Sequence, residues 1–258
     1  MAIDLPAISS PVYPLSFTLV LAFQTFGAQH LAAMGAIVFL CALVSRAARV
    51  ASDSCRLRLG RFLGLALLGY VACIYMQQWR SGSLRWEYSL PLDLCNLVLI
   101  ACIVSLFHPN QFMTEIAYFW GLGGVVQATV TPDLAQGFPS WDFTLFFWGH
   151  GATLVAIAYL LSSRGFQPRR HSILRMMIAL NAYALIVGTL NAIAGWNYGY
   201  LCRKPVMPSL LDYLGPWPWY LLSLELIAFL TFLILDRIWR LLVWFGRPER
   251  SGTFKGRQ

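Results

Sequence analysis

Within PLDLCN, residues 91–96, the polar residues Asp93, Cys95 and Asn96 stand ahead of the almost wholly apolar LVLIACIVSLF. Polar groups inside a bilayer are costly and mark function more often than chance placement does. A cysteine becomes a nucleophile as its thiolate, and an imidazole is a usual base for it. His150, in FFWGHGA, is the best base by position, with Gly149 and Gly151 leaving room beside it for another chain or a ligand. Glu225 reads either as the group that orients this imidazole or as a hydrogen-bonded carboxyl in helix packing. Gln127 and Asn191 carry amides that would serve as oxyanion donors or as ordinary interhelical hydrogen bonds. His30, Asn96 and Trp120 complete the set as cavity-lining candidates. Asp93 and Cys95 are two apart and face different directions on a helix, so Asp93 reads as a cap rather than a partner. A packed cysteine acting as a small hydrophobe is the competing reading of Cys95.

These residues need helices to hold them. The chain of 258 residues is 58% hydrophobic and only 12% charged, whereas soluble domains run at about 45–50% apolar and about 25% charged. Apolar runs that reach or approach the roughly 20 residues of a membrane span recur along it. The expectation is an all-α polytopic membrane protein of one domain. Seven helices are placed near 28–46, 60–79, 91–107, 112–130, 142–162, 173–193 and 216–236. Proline or glycine punctuates most boundaries, among them Pro91, Pro109, Pro139, Pro168, Gly195 and Pro216. Pro91 suits a first helical position, where its missing N–H costs nothing. The stretch 15–27 is apolar but short, and is interfacial or an extension of the first helix. The segment 237–258 is expected to be a basic interfacial tail.

The Lys and Arg residues fix an expected orientation. With seven helices, alternate segments carry 15 basic residues on one side and 4 on the other. The positive-inside rule places the rich side in the cytoplasm, so the N-terminus is outside and the C-terminus inside. Cys95 then lies roughly 6–8 Å below the outer boundary and His150 roughly 12 Å below it, at about 1.5 Å per residue. His30, Asn96, Gln127, Asn191 and Glu225 share that outer half, which suggests one polar cavity open to the outer leaflet. At the start of the third helix the positive helix end favours a thiolate, and burial opposes it.

Other classes find no support. The six cysteines show no CxxC pair and no metal-ligand spacing, so no metal and no disulfide framework is expected. The net charge of +8 is a topology signal rather than a nucleic-acid footprint. The N-terminal MAIDLPAISSPVYPLSF lacks the basic region of a signal peptide. WGLGGV has no preceding strand, so its glycines read as close helix packing and not a nucleotide loop.

LPLDLCNLVLI, AYFWGLGGVVQATVTPDL, FTLFFWGHGA and LGPWPWYLLSLEL resemble, in order from about residue 90 to 226, the YwaF-like bacterial membrane proteins and their vertebrate relative, transmembrane protein 164. A weaker similarity covers FGAQHLAAM. The resemblance implies a membrane acyltransferase that moves a fatty acyl chain from a phospholipid to a lysophospholipid with a cysteine and a histidine. Those residues correspond to Cys95 and His150. No cofactor is implied. The partners implied are phospholipids and lysophospholipids, and the location a bacterial cytoplasmic membrane with the site facing the outer leaflet. A lipid hydrolase using the same pair, or a non-enzymatic seven-helix binding protein or transporter, are the alternatives. Oligomeric state is left open by the sequence.

Overall fold

The structure, a computed structural model, describes residues 22–163, 165–205 and 210–245. Its helices are α1 Ala28–Val50, α2 Asp53–Arg80, α3 Leu94–Phe107, α4 Gln111–Trp120, α5 Val126–Val130, α6 Trp141–Ser163, α7 Ser172–Ala194 and α8 Trp219–Phe245. A π turn, Gly121–Val125, joins α4 to α5, so that 111–130 is one helical run. No strand occurs among the described residues; an isolated bridge pairs Ala22 with Gln136. Among the described residues four helices, α1, α2, α6 and α7, are long and apolar enough to cross a membrane, and α3 is a shorter apolar helix. The chain is an all-helical polytopic membrane protein.

Local chemistry sets the helix ends. Asn110 caps α4 by accepting a hydrogen bond from the Met113 N–H at 3.1 Å. The hydroxyl of Ser140 accepts from the Phe143 N–H at 3.1 Å where α6 begins. Gly195, at φ 74°, ends α7 in the left-handed conformation that glycine adopts without steric cost. At three places the structure departs from expectation or narrows it. Pro91 does not enter a helix; α3 begins at Leu94, with Asp93 at the capping position. Cys95 is therefore the second residue of α3 and lies nearer that helix end than the expected 6–8 Å. In the segment 15–27, residues 22–26 are not helical: the Phe23 N–H bonds to the Ala135 carbonyl at 3.1 Å, and 15–21 lies outside the described residues. The segment 237–245 continues α8, and 246–258 is likewise outside the described residues.

Neighbours in sequence alternate in direction. Thr114 bonds to Ser105 across the α3–α4 hairpin at 3.2 Å, and the Tyr159 hydroxyl on α6 donates to the Arg56 carbonyl on α2 at 2.6 Å. α1 instead runs parallel to α6: His30 meets Phe147, and the Ser45 hydroxyl reaches the Ala158 carbonyl. The bundle thus has a Cys95 end, where α1, α3, α6 and α8 begin, and a Glu115 end, where α2, α4 and α7 begin.

The π turn is the centre of the packing. A Cβ at Gly121 would stand 2.4 Å from Ile157 on α6 and 3.2 Å from Val98 on α3. No larger residue fits this approach without moving its neighbours. Gly121 of WGLGGV is therefore a packing residue, as its sequence context implies, whereas a Cβ at Gly123 or Gly124 would meet only ordinary contacts. The π geometry was not legible in sequence. Val98, Leu106, Phe119, Ile157 and Leu160 are buried in the same apolar core.

Candidate functional site

The start of α3 is fixed from three sides. The Tyr75 hydroxyl donates to the Ser89 carbonyl at 2.8 Å, and the Tyr183 hydroxyl to the Leu92 carbonyl at 2.9 Å. The Tyr198 hydroxyl accepts from the Leu90 N–H at 2.9 Å and donates to the Trp86 carbonyl at 2.6 Å. Asp93 caps no N–H of its own helix; its carboxylate accepts from the Gly199 N–H at 2.9 Å. The strap 196–202 is thus tied across the helix start. Gly199, at φ 63°, is where this needs glycine, since a Cβ there would be 2.3 Å from the Tyr183 hydroxyl. Tyr200 follows at φ 54°, an uncommon conformation for a non-glycine residue, and holding it there costs on the order of 1–3 kcal/mol.

Cys95 is half-buried beneath this strap. Tyr70, Tyr183 and Tyr200 all lie within electrostatic reach of its sulfur, as does Asp93. Tyr183 also packs against Trp120, with ring centroids 6.2 Å apart. Trp120 is 4% exposed, and its Nε1–H is a buried donor with no acceptor among the described residues. A buried polar group without a partner calls for an explanation, because it forfeits hydration for nothing in return.

His150 is half-buried on α6 and stacks on Phe146 at 4.1 Å between ring centroids. Its Nδ1 lies 3.0 Å from the Phe146 carbonyl. A carbonyl only accepts, so Nδ1 carries the proton and Nε2 is left as the basic nitrogen. The flanking glycines are not open space. Tyr70 covers Gly149, where a Cβ would fall 2.2 Å from its ring, and Ile37 of α1 covers Gly151. Tyr70 therefore both touches the turn that carries His150 and interacts with Cys95. Among the described residues no hydrogen bond joins Cys95 to His150.

The other sequence candidates disperse. His30 is fully buried, and both ring nitrogens are engaged: Nδ1 accepts from the Phe26 N–H at 2.8 Å, so Nε2 donates to the Thr129 carbonyl at 2.9 Å. Asn191 is 1% exposed and grips the Tyr198 backbone, donating to its carbonyl at 2.9 Å and accepting from its N–H at 3.0 Å. Gln127 is exposed and donates to Thr131 at 3.0 Å. Glu225 accepts from the Asn181 amide at 2.6 Å, so the group that orients His150 is the Phe146 carbonyl. Asn96 is half-buried beside Cys95. Tyr70, Tyr183 and Tyr200 escaped the sequence reading, because a tyrosine in an apolar helix or in the loop beyond it looks like any interfacial aromatic. No cluster of potential metal ligands occurs among the described residues.

The TMEM164 family model matches residues 25–236, and the chain belongs to that family. Neither the curated proteins nor the solved structures yielded a match.

Proposed function

We propose that this TMEM164 family member is a membrane-embedded acyltransferase that moves a fatty acyl chain from a phospholipid to a lysolipid-type acceptor through an acyl-thioester on Cys95. The observation that carries the reading is the tautomer of His150. Its Nδ1–H is held by the Phe146 carbonyl, which leaves Nε2 free to take a proton. Nε2 removes the Cys95 proton, and the sulfur attacks the ester carbonyl of the donor lipid. The C–O bond breaks, His150 returns the proton to the departing lysophospholipid, and the acyl group stays on sulfur. The acceptor hydroxyl then gives its proton to Nε2 and attacks the thioester, breaking the C–S bond and restoring the thiol. The step requires Cys95 and His150 to come together when the donor lipid binds, as catalytic hydrogen bonds often tighten only with substrate bound.

Both tetrahedral intermediates need a donor for their oxyanion. Asn191 is committed to Tyr198 and Gln127 to Thr131, so the unpartnered Nε1–H of Trp120 is the better donor. The distribution of basic residues supports an orientation with the Cys95 end outside, by the positive-inside rule, and the family resemblance supports a bacterial cytoplasmic membrane. A donor lipid of the outer leaflet then has direct access, and a charged cytosolic thioester does not.

The test is purified protein in nanodiscs with a phospholipid bearing an alkyne-labelled acyl chain. Label on Cys95 that neutral hydroxylamine removes, lost in Cys95→Ala, is the expected result. Free fatty acid as the only product would replace transfer by hydrolysis at the same pair. Folded, lipid-loaded protein that never acquires label would sink the covalent scheme.

A further inference from the structure

α7 and α8 part company over most of their length. Among the described residues, the side-chain hydrogen bond that spans them is Asn181 to Glu225. From that bridge toward the Glu115 end the two helices enclose a cleft of about 690 Å³. Its walls are apolar: Ile173, Leu174 and Met177 on one side, Leu222, Leu226 and Phe229 on the other. Arg170, His171, Asp236 and Arg240 ring its mouth. The outward faces of both helices are apolar as well, with Ile178, Leu185, Leu230 and Ile234 exposed, so the cleft opens onto hydrocarbon.

The mouth carries surplus positive charge. Arg240 is spent on buried Asp236, with contacts of 2.6 and 2.9 Å. Arg169 and Arg175 point instead at Glu115. Arg170 is exposed and has no side-chain partner among the described residues. One unneutralised guanidinium, with the imidazole of His171 next to it, suits a phosphate. From Glu225 to Arg240 α8 rises about 22 Å, more than half of the roughly 30 Å hydrocarbon thickness. The cleft is therefore long enough for an extended acyl chain lying below that phosphate.

We infer that this cleft holds one anionic glycerophospholipid, its phosphate at Arg170 and one acyl chain between α7 and α8. The site lies at the opposite end of the bundle from Cys95 and does not depend on any chemistry there. A soluble anion would leave the apolar walls unmatched, and a zwitterionic lipid gains less at Arg170, because its own cation is repelled there. The second acyl chain lies in the bilayer.

Native mass spectrometry of protein released from nanodiscs of equal phosphatidylglycerol and phosphatidylcholine tests this. The expected result is one retained lipid with phosphatidylglycerol in clear excess. Arg170→Glu should weaken its retention by about tenfold, equivalent to about 1.4 kcal/mol, and Leu226→Trp should displace the chain. A phosphatidylglycerol with a diazirine in its tail should crosslink to the 222–229 stretch in the parent protein and lose this in Leu226→Trp. Should Leu226→Trp fail to fold, Arg170→Glu on the surface still decides. Equal retention of both lipids unaffected by Arg170→Glu, a merely annular lipid, overturns the assignment, as does crosslinking confined to other helices.

Discussion

At the Glu115 end a fully buried carboxylate takes hydrogen bonds from the Arg169 N–H and guanidinium, from Ser172 at 2.7 Å and from Gln111 at 3.2 Å, with Arg175 alongside. At the Cys95 end the buried groups are only partly matched: His150 keeps one nitrogen open, and the Trp120 Nε1–H faces no acceptor. Both ends bury polar atoms in a membrane helix. One uses them to lock α4 to the 165–172 segment, and the other leaves them available. A saturated network contributes to stability, whereas an unsaturated one is a site where a substrate can supply what is missing.

The sharpest way to break this comparison is to remove one group at each end. Cys95→Ala should abolish acyl labelling and product formation while leaving the thermal midpoint in detergent nearly unchanged. His150→Ala should lower the labelling rate by about 10²- to 10⁴-fold, the usual contribution of a general base. Glu115→Ala should do the reverse. It leaves two partly exposed arginines facing a vacated buried site and should cost about 3 kcal/mol of stability, the low end for a broken buried ion pair. Its labelling rate per folded molecule should stay near that of the parent. A Glu115→Ala protein as stable as the parent would show that the network is ornamental.

Two smaller effects sharpen the picture at the Cys95 end. Gly149→Ala forces the Tyr70 ring away from α6 and should cost about 1–3 kcal/mol as an overpacked contact. Tyr70→Ala in the same chain should restore much of it, as thermal denaturation of the pair would record. Trp120→Phe removes a donor that has no partner but leaves a small cavity beside Tyr183, so it should cost only about 1–2 kcal/mol of stability. Labelling should nonetheless fall by up to about 10²-fold if Nε1 serves the oxyanion. Unaltered labelling in Trp120→Phe would return that role to Gln127 or to backbone.

The sequence exposed the helices well, because an apolar run bounded by proline or glycine is a local signal. The expected 173–193 is observed as Ser172–Ala194, and 142–162 as Trp141–Ser163. Pro91 misled at the third helix, since the extended conformation of 91–93 is imposed by tertiary ties to Tyr183 and Gly199 that no local pattern announces. Site partners were harder still. His30 and His150 look alike in sequence, yet one has both nitrogens engaged and the other has one. That difference depends on Thr129 being 99 residues away from His30. The family resemblance was legible because PLDLC and FFWGHG stand in order, and the tyrosines around Cys95 were not because they sit on three separate segments.

The parallel pairing of α1 with α6 bears on how the molecule is made. His30 reaches the Thr129 carbonyl only after some 99 more residues have been added, roughly 5–20 s of translation at ordinary rates. Throughout that interval the nascent first helix carries an imidazole into lipid with its Nε2–H unanswered, which costs free energy. An insertase or chaperone that shelters α1, or its delayed entry into the bilayer, would relieve that cost. A chain halted before residue 129 should accordingly be removed by quality-control proteases sooner than one halted after α6.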